Sequence, residues 1–152
     1  MFLGNFYILY ISNHFMGWYF YSIIAAIILA VNFLLIKKVG LSGLPVNVLI
    51  LYMWGIASII LLGYHLFSKQ SLAISKPLIM IVIFAALTAL AGNYFLNKAV
   101  YESPNPGYAT AVASLQILIV VISSFFIFGS DLTIQKFIGA MLVLVGVFLL
   151  GT

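Results

Sequence analysis

FGSDLTIQKFIG, residues 128–139, holds Asp131 and Lys136, two of the eight charged side chains in the 152-residue chain. No other charged residue occurs after Glu102. Charges confined to a short segment between long apolar runs mark a turn at the surface of a bilayer, where a charge costs little. Asp131 is then expected near the start of a helix, whose positive dipole end favours an anion. Lys136, one turn further on, is expected to snorkel back to the headgroups. A solvated turn accounts for both residues without assigning either a catalytic role.

Working outward, the composition fits that reading. The chain is 66% hydrophobic and 5% charged, whereas soluble domains carry roughly a quarter charged residues. Eight charges do not cover a water-facing surface, so lipid is the expected solvent, and a buried soluble bundle is the weaker alternative. The net charge of +4 comes from lysines alone. They form no cluster of the kind that nucleic-acid binding needs, so no nucleic-acid partner is expected. The absence of cysteine removes disulfides, zinc thiolates and a cysteine nucleophile.

A hydrocarbon core of about 30 Å takes about twenty helical residues. Five stretches have that length: 15–36, 45–66, 77–99, 107–128 and 133–152. Pro45, Pro77 and Pro106 stand at the openings of three of them, where proline's missing N–H has no helical partner to lose. The connections KKVGLSG, SKQSLAISK, YESPNPG and GSDLT are short and polar, so successive helices should run antiparallel as neighbours. The fold class expected is an all-α integral membrane protein with five transmembrane helices over 15–152. Residues 1–14 lack a positive segment before their apolar run, which argues against a cleaved signal, and their apolar stretch is too short to span. They read either as an interfacial lead-in or as an extension upstream of a natural start at Met16.

With that order of spans, Lys69, Lys76 and Lys136 face one side of the membrane and Lys37, Lys38 and Lys98 the other. Lysine bias sets topology, and here it is balanced. Such balance fits insertion in both orientations, or chance in a chain with few charges.

Polar side chains inside spans usually face protein or a water-filled cavity. Asn47, Trp54, Ser58 and His65 share a face of the second span, and Trp18, Ala25 and Asn32 share one of the first. Ala86, Asn93 and Asn97 do so in the third, and Ala109, Ala113, Gln116 and Val120 in the fourth. Trp54, Ser58 and Gln116 fall near the midplane. Asn32 and Asn93 lie about 10 Å past the centres of parallel-running spans. The expected substrate-binding residues are Asn32, Trp54, Ser58, Asn93 and Gln116. For the two asparagines, amide bonds between helices are the competing reading, and for Trp54 it is core packing. Ala85, Ala89, Gly92, Ala109, Ala113, Gly139 and Gly146 form small-residue patterns expected to let helices approach closely. His65 and His14 read as interfacial. No set of residues has metal-ligand spacing, and Glu102 and Asp131 fall on opposite membrane faces. The chain is therefore expected to be no enzyme, with no catalytic residue, metal or cofactor.

The stretch YESPNPGYATAVASLQILIVVISSFFIFGSDLTIQKFIGAMLVLVGVFLLG resembles the end of an EamA-type repeat of the drug/metabolite transporter superfamily. Tyr101, Pro104, Ala109, Ala111, Ala113, Gln116, Gly129, Leu132, Gly139 and Gly146 carry the resemblance, with Asn32, Lys37 and Asn93 upstream. It extends over about 16–152. Ser130 replaces the usual turn glutamate, and Ile117 replaces the usual proline, which predicts a fourth helix without the family's kink. The resemblance implies one half of an inverted-repeat transporter, similar to the small multidrug resistance proteins, which pair as antiparallel dimers. It implies an antiparallel homodimer, or a heterodimer with a similar five-helix chain, in the plasma (inner) membrane. The acidic residue that the small multidrug proteins use in their first helix is missing from 15–36. The expected cargo is an uncharged or zwitterionic metabolite, and a non-transporting or regulatory subunit is the alternative.

Overall fold

The computed structural model describes residues 2–69, 71–131 and 133–151, with side chains from Tyr19 to Leu150. Leu132 and the side chains of His14 and Trp18 lie outside the described residues. The described residues form helices and turns: α1 (Phe2–Leu41), α2 (Val46–Ser68), α3 (Lys76–Glu102), α4 (Pro106–Ala113), α5 (Gln116–Phe128) and α6 (Ile134–Gly151). Two units are distinct, Met1–Ile36 and Lys37–Thr152. The first is helical throughout its described part.

Four helical stretches are long and apolar enough to cross a membrane: Tyr19–Leu41, Val46–Ser68, Lys76–Glu102 and Pro106–Phe128. The expectation of five full spans is corrected at the fifth. Ile134–Leu150 is apolar but shorter than the other four, because its first turn begins only after the polar residues of the GSDLT connection. Around these helices, large apolar side chains point outward; Phe67 is 90% and Ile134 79% exposed. In water this would cost far more than a small core returns, so the pattern belongs to a lipid-solvated chain.

Within Lys37–Thr152, α3 packs against α2 and α4, and α6 against α4 and α5. Leu49 and Ile50 of α2, Asn97 and Val100 of α3, Leu118 of α5, and Ala140 and Val147 of α6 are buried. The prolines act as starters. Pro45 is the extended N-cap of α2, Pro77 lies in the first turn of α3, and Pro106 in that of α4. Asn105 caps α4, its Oδ1 accepting from the Gly107 N–H at 2.8 Å.

One corner joins distant parts of this unit. The Lys37 ammonium donates to the carbonyls of Tyr101 (2.7 Å) and Ser103 (2.6 Å), at the C-terminal end of α3. Those carbonyls lack helical partners and lie at the negative end of the dipole, so a cation there satisfies both needs. Beside it, a Cβ on Gly40 would come within 2.6 Å of the Tyr101 ring. Gly40 is the glycine at a tight contact. Gly92, Gly139 and Gly146 would each meet nothing within 4 Å, which corrects the expectation that they mediate close helix approach.

The opening turn also differs in detail. Gly129 ends α5 in the left-handed conformation, φ 61°, and its N–H bonds to the Ser124 carbonyl. Thr133 precedes α6, its Oγ1 accepting from the Lys136 N–H at 3.4 Å. The Lys136 ammonium donates to the Asp131 backbone carbonyl at 3.2 Å. The lysine thus closes the turn on itself instead of reaching away from it.

The span Pro106–Phe128 is not one continuous α-helix. The Ser114 N–H is shared between the Thr110 and Ala111 carbonyls, and the Leu115 N–H bonds to Val112. Ile117 N–H then bonds to Ser114, and Leu118 N–H to Leu115. These three-residue steps tighten the helix locally. Ser114 Oγ donates to the Ala111 carbonyl at 2.5 Å, competing for an acceptor that the helix ladder uses. The straight fourth helix expected from Ile117 is therefore corrected: a serine interrupts it where the proline is missing.

Candidate functional site

Two open grooves flank α3. The first, about 420 Å³, lies between α2 and α3 and is lined by Asn47, Ile50, Leu87, Leu90, Ala91, Tyr94 and Phe95. The second, about 390 Å³, lies between α3 and the α4–α5 span. Its walls are Ala85, Thr88, Ala89, Gly92, Asn93 and Leu96 of α3, with Ala113 and Gln116 across from them. Both volumes fall in the range of small-molecule sites. The second groove joins three polar side chains to a floor of small residues beside the Ser114–Leu115 tightening, and is the candidate site.

Each polar group has a definite hydrogen-bonding state. Asn93 Nδ2 donates to the Ala89 carbonyl at 2.9 Å, leaving its oxygen and one N–H toward the groove. Thr88 Oγ1 lies 3.0 Å from the carbonyls of both Phe84 and Ala85, so its one proton is committed to its own helix. The exposed Gln116 amide makes no hydrogen bond among the described residues. Thr88 lies near the middle of Lys76–Glu102 and Gln116 near the middle of Pro106–Phe128. A polar group at that depth is costly unless it faces protein, water or solute.

Of the five residues expected from sequence, Asn93 and Gln116 line this groove together. Trp54 and Ser58 lie on α2 and line neither groove. Trp54 is 39% exposed, and Ser58 Oγ donates to the Trp54 carbonyl at 2.7 Å. Asn32 is half-buried within the first unit. Thr88 is the residue that sequence reasoning missed. Its signal was the spacing to Asn93, five residues on, with only small side chains and two leucines between.

The described residues contain no group of three or more His, Asp or Glu side chains able to hold a metal. Glu102 pairs instead with Lys98, one turn earlier, at 3.9 Å in an exposed position, an interaction of small energetic weight. The site offers neutral hydrogen bonding and apolar contact, which suits binding and release of a solute.

Comparison with curated proteins and with solved structures gives no match. The model of the EamA-like transporter family matches residues 16–152, a region that contains α2 to α6, the groove and its polar residues. Membrane-crossing helices and this match agree, and the chain belongs to the EamA-like transporter family of multi-pass integral membrane proteins.

Proposed function

We propose that this chain is a transporter subunit that passes a small uncharged or zwitterionic metabolite across the plasma (inner) membrane. Residues 15–152 are the transport domain and residues 1–14 its lead-in. Solute sits in a midplane cavity to which the α3/α4–α5 groove contributes Thr88, Asn93 and Gln116, without a cofactor or a catalytic step. The single observation supporting this is the unpaired Gln116 amide facing Asn93 across a groove at mid-span. An apolar packing role would leave that amide unsatisfied in hydrocarbon, at a cost of several kcal/mol.

The cavity is completed by a second, oppositely inserted chain, either a copy of this one or a similar five-helix partner. The balanced lysines, three on each side, support this arrangement. The contact of Lys37 with the end of α3 keeps Lys37 and Lys98 on one side, as that count requires. In proteoliposomes, Gln116→Ala should lower metabolite flux tenfold or more while crosslinked dimer yield stays at the wild-type level. Loss of assembly with no separate effect on flux would make the chain a non-transporting partner subunit instead.

A further inference from the structure

The hydrogen-bond states of the groove narrow the class of solute. The Asn93 amide orientation is fixed by its neighbour: turning it over would set two oxygens 2.9 Å apart. Its oxygen therefore faces the groove with both lone pairs free, and only one of its N–H groups remains. Thr88 has no proton to offer, because both acceptors within reach belong to α3 itself. It presents lone pairs only. Gln116 contributes both an acceptor and donors. Counting the inventory of these side chains, acceptor sites outnumber N–H donors about two to one. The groove lining contains no charged residue of either sign.

From this imbalance we infer that the groove selects neutral molecules presenting N–H or O–H donors, such as an amide or polyol edge, and discriminates against carboxylates and phosphates. This rests on the transport reading above and specifies its substrate class. An anion entering the groove would bring oxygen lone pairs against those of Thr88 and Asn93, with no cation to compensate for its lost hydration. A cationic ligand would find acceptors but no counter-charge. A neutral donor-bearing edge satisfies the exposed oxygens, and Gln116 and the remaining Asn93 N–H take up its carbonyl or hydroxyl oxygen. A site built for hydrogen bonds also rejects analogues that leave its polar groups unpaired.

The test uses the full chain in nanodiscs, with 4-fluorobenzamide and 4-fluorobenzoate as probes of nearly equal shape. Fluorine NMR measures their binding, with protein-free nanodiscs as the background. The amide should bind at least about tenfold more tightly than the carboxylate. Thr88→Val, which removes the groove-facing lone pairs at constant shape, should weaken the amide about fivefold and leave the carboxylate unchanged. Equal or tighter binding of the carboxylate overturns the inference. So does failure of both probes to bind. In either case the flux of Gln116→Ala decides separately whether the transport reading survives: a tenfold loss keeps it, and unchanged flux removes it as well.

Discussion

The two faces of α3 carry grooves of nearly equal size and opposite chemistry. Toward α2 the walls are Ile50, Leu87, Leu90, Tyr94 and Phe95, with Asn47 as the one amide. Toward α4 and α5 the walls are small, and Thr88, Asn93 and Gln116 bring hydrogen-bonding groups to them. In a water-soluble protein the larger apolar concavity would be the default binding site. In a chain solvated by lipid that logic inverts, since an apolar concavity is already complementary to acyl chains. What distinguishes a solute site in a bilayer is polarity held where hydrocarbon would otherwise be.

Neighbouring positions on α3 give the sharpest way to break this comparison. Ala91 lines the apolar groove and Gly92 the polar one. Gly92 has open space where a side chain would begin, so Gly92→Leu should fold, and the helix gains about 1 kcal/mol in propensity. It should nonetheless cut flux tenfold or more in proteoliposomes, while Ala91→Leu changes flux less than twofold. Equal effects would end the distinction between the grooves.

A second variant acts on the shared wall. Lys37→Met removes the cation from the last carbonyls of α3 and should lower stability by about 1–2 kcal/mol, read as a fall in the detergent unfolding midpoint. Flux through both faces of α3 should then fall only in proportion to the folded fraction. A loss of flux at full folding would give Lys37 a direct role in the site.

The smallest expected effect lies beside Gln116. Ser114→Ala deletes the hydroxyl that bonds to the Ala111 carbonyl, at a cost of about 1 kcal/mol or less. Hydrogen exchange over 114–118 should slow as the regular ladder re-forms. Unchanged exchange would mean that the tightening is imposed by packing and not by the serine.

The sequence was legible where one residue type has one dominant reason to be present. The prolines at 45, 77 and 106 located helix starts, and long uncharged runs located spans. Asn93 and Gln116 emerged from helical spacing and depth alone. Trp54 and Ser58 share a face as the spacing requires, but which neighbour that face meets is a tertiary property. Ser58, bonded to its own helix through the Trp54 carbonyl, shows how a hydroxyl in a span satisfies itself locally. The same habit concealed Thr88, whose lone pairs matter only because of what lies across the groove. The Gly40–Tyr101 contact joins residues far apart in the chain, and no local pattern encodes it. Ser114 was invisible for a different reason: attention to the missing proline masked a second way to disturb a helix.

The tightening at Ser114–Leu115 also alters the angular bookkeeping of everything downstream. A residue advances about 100° in an α-helix and about 120° in a three-residue step. Two such steps turn α5 by about 40° relative to a wheel drawn through α4. Val120, assigned by uniform spacing to the face of Ala113 and Gln116, is absent from the groove lining and is 59% exposed. The two half-helices therefore present independently phased surfaces, and substitutions in one can retune what its half shows to solute without rotating the other.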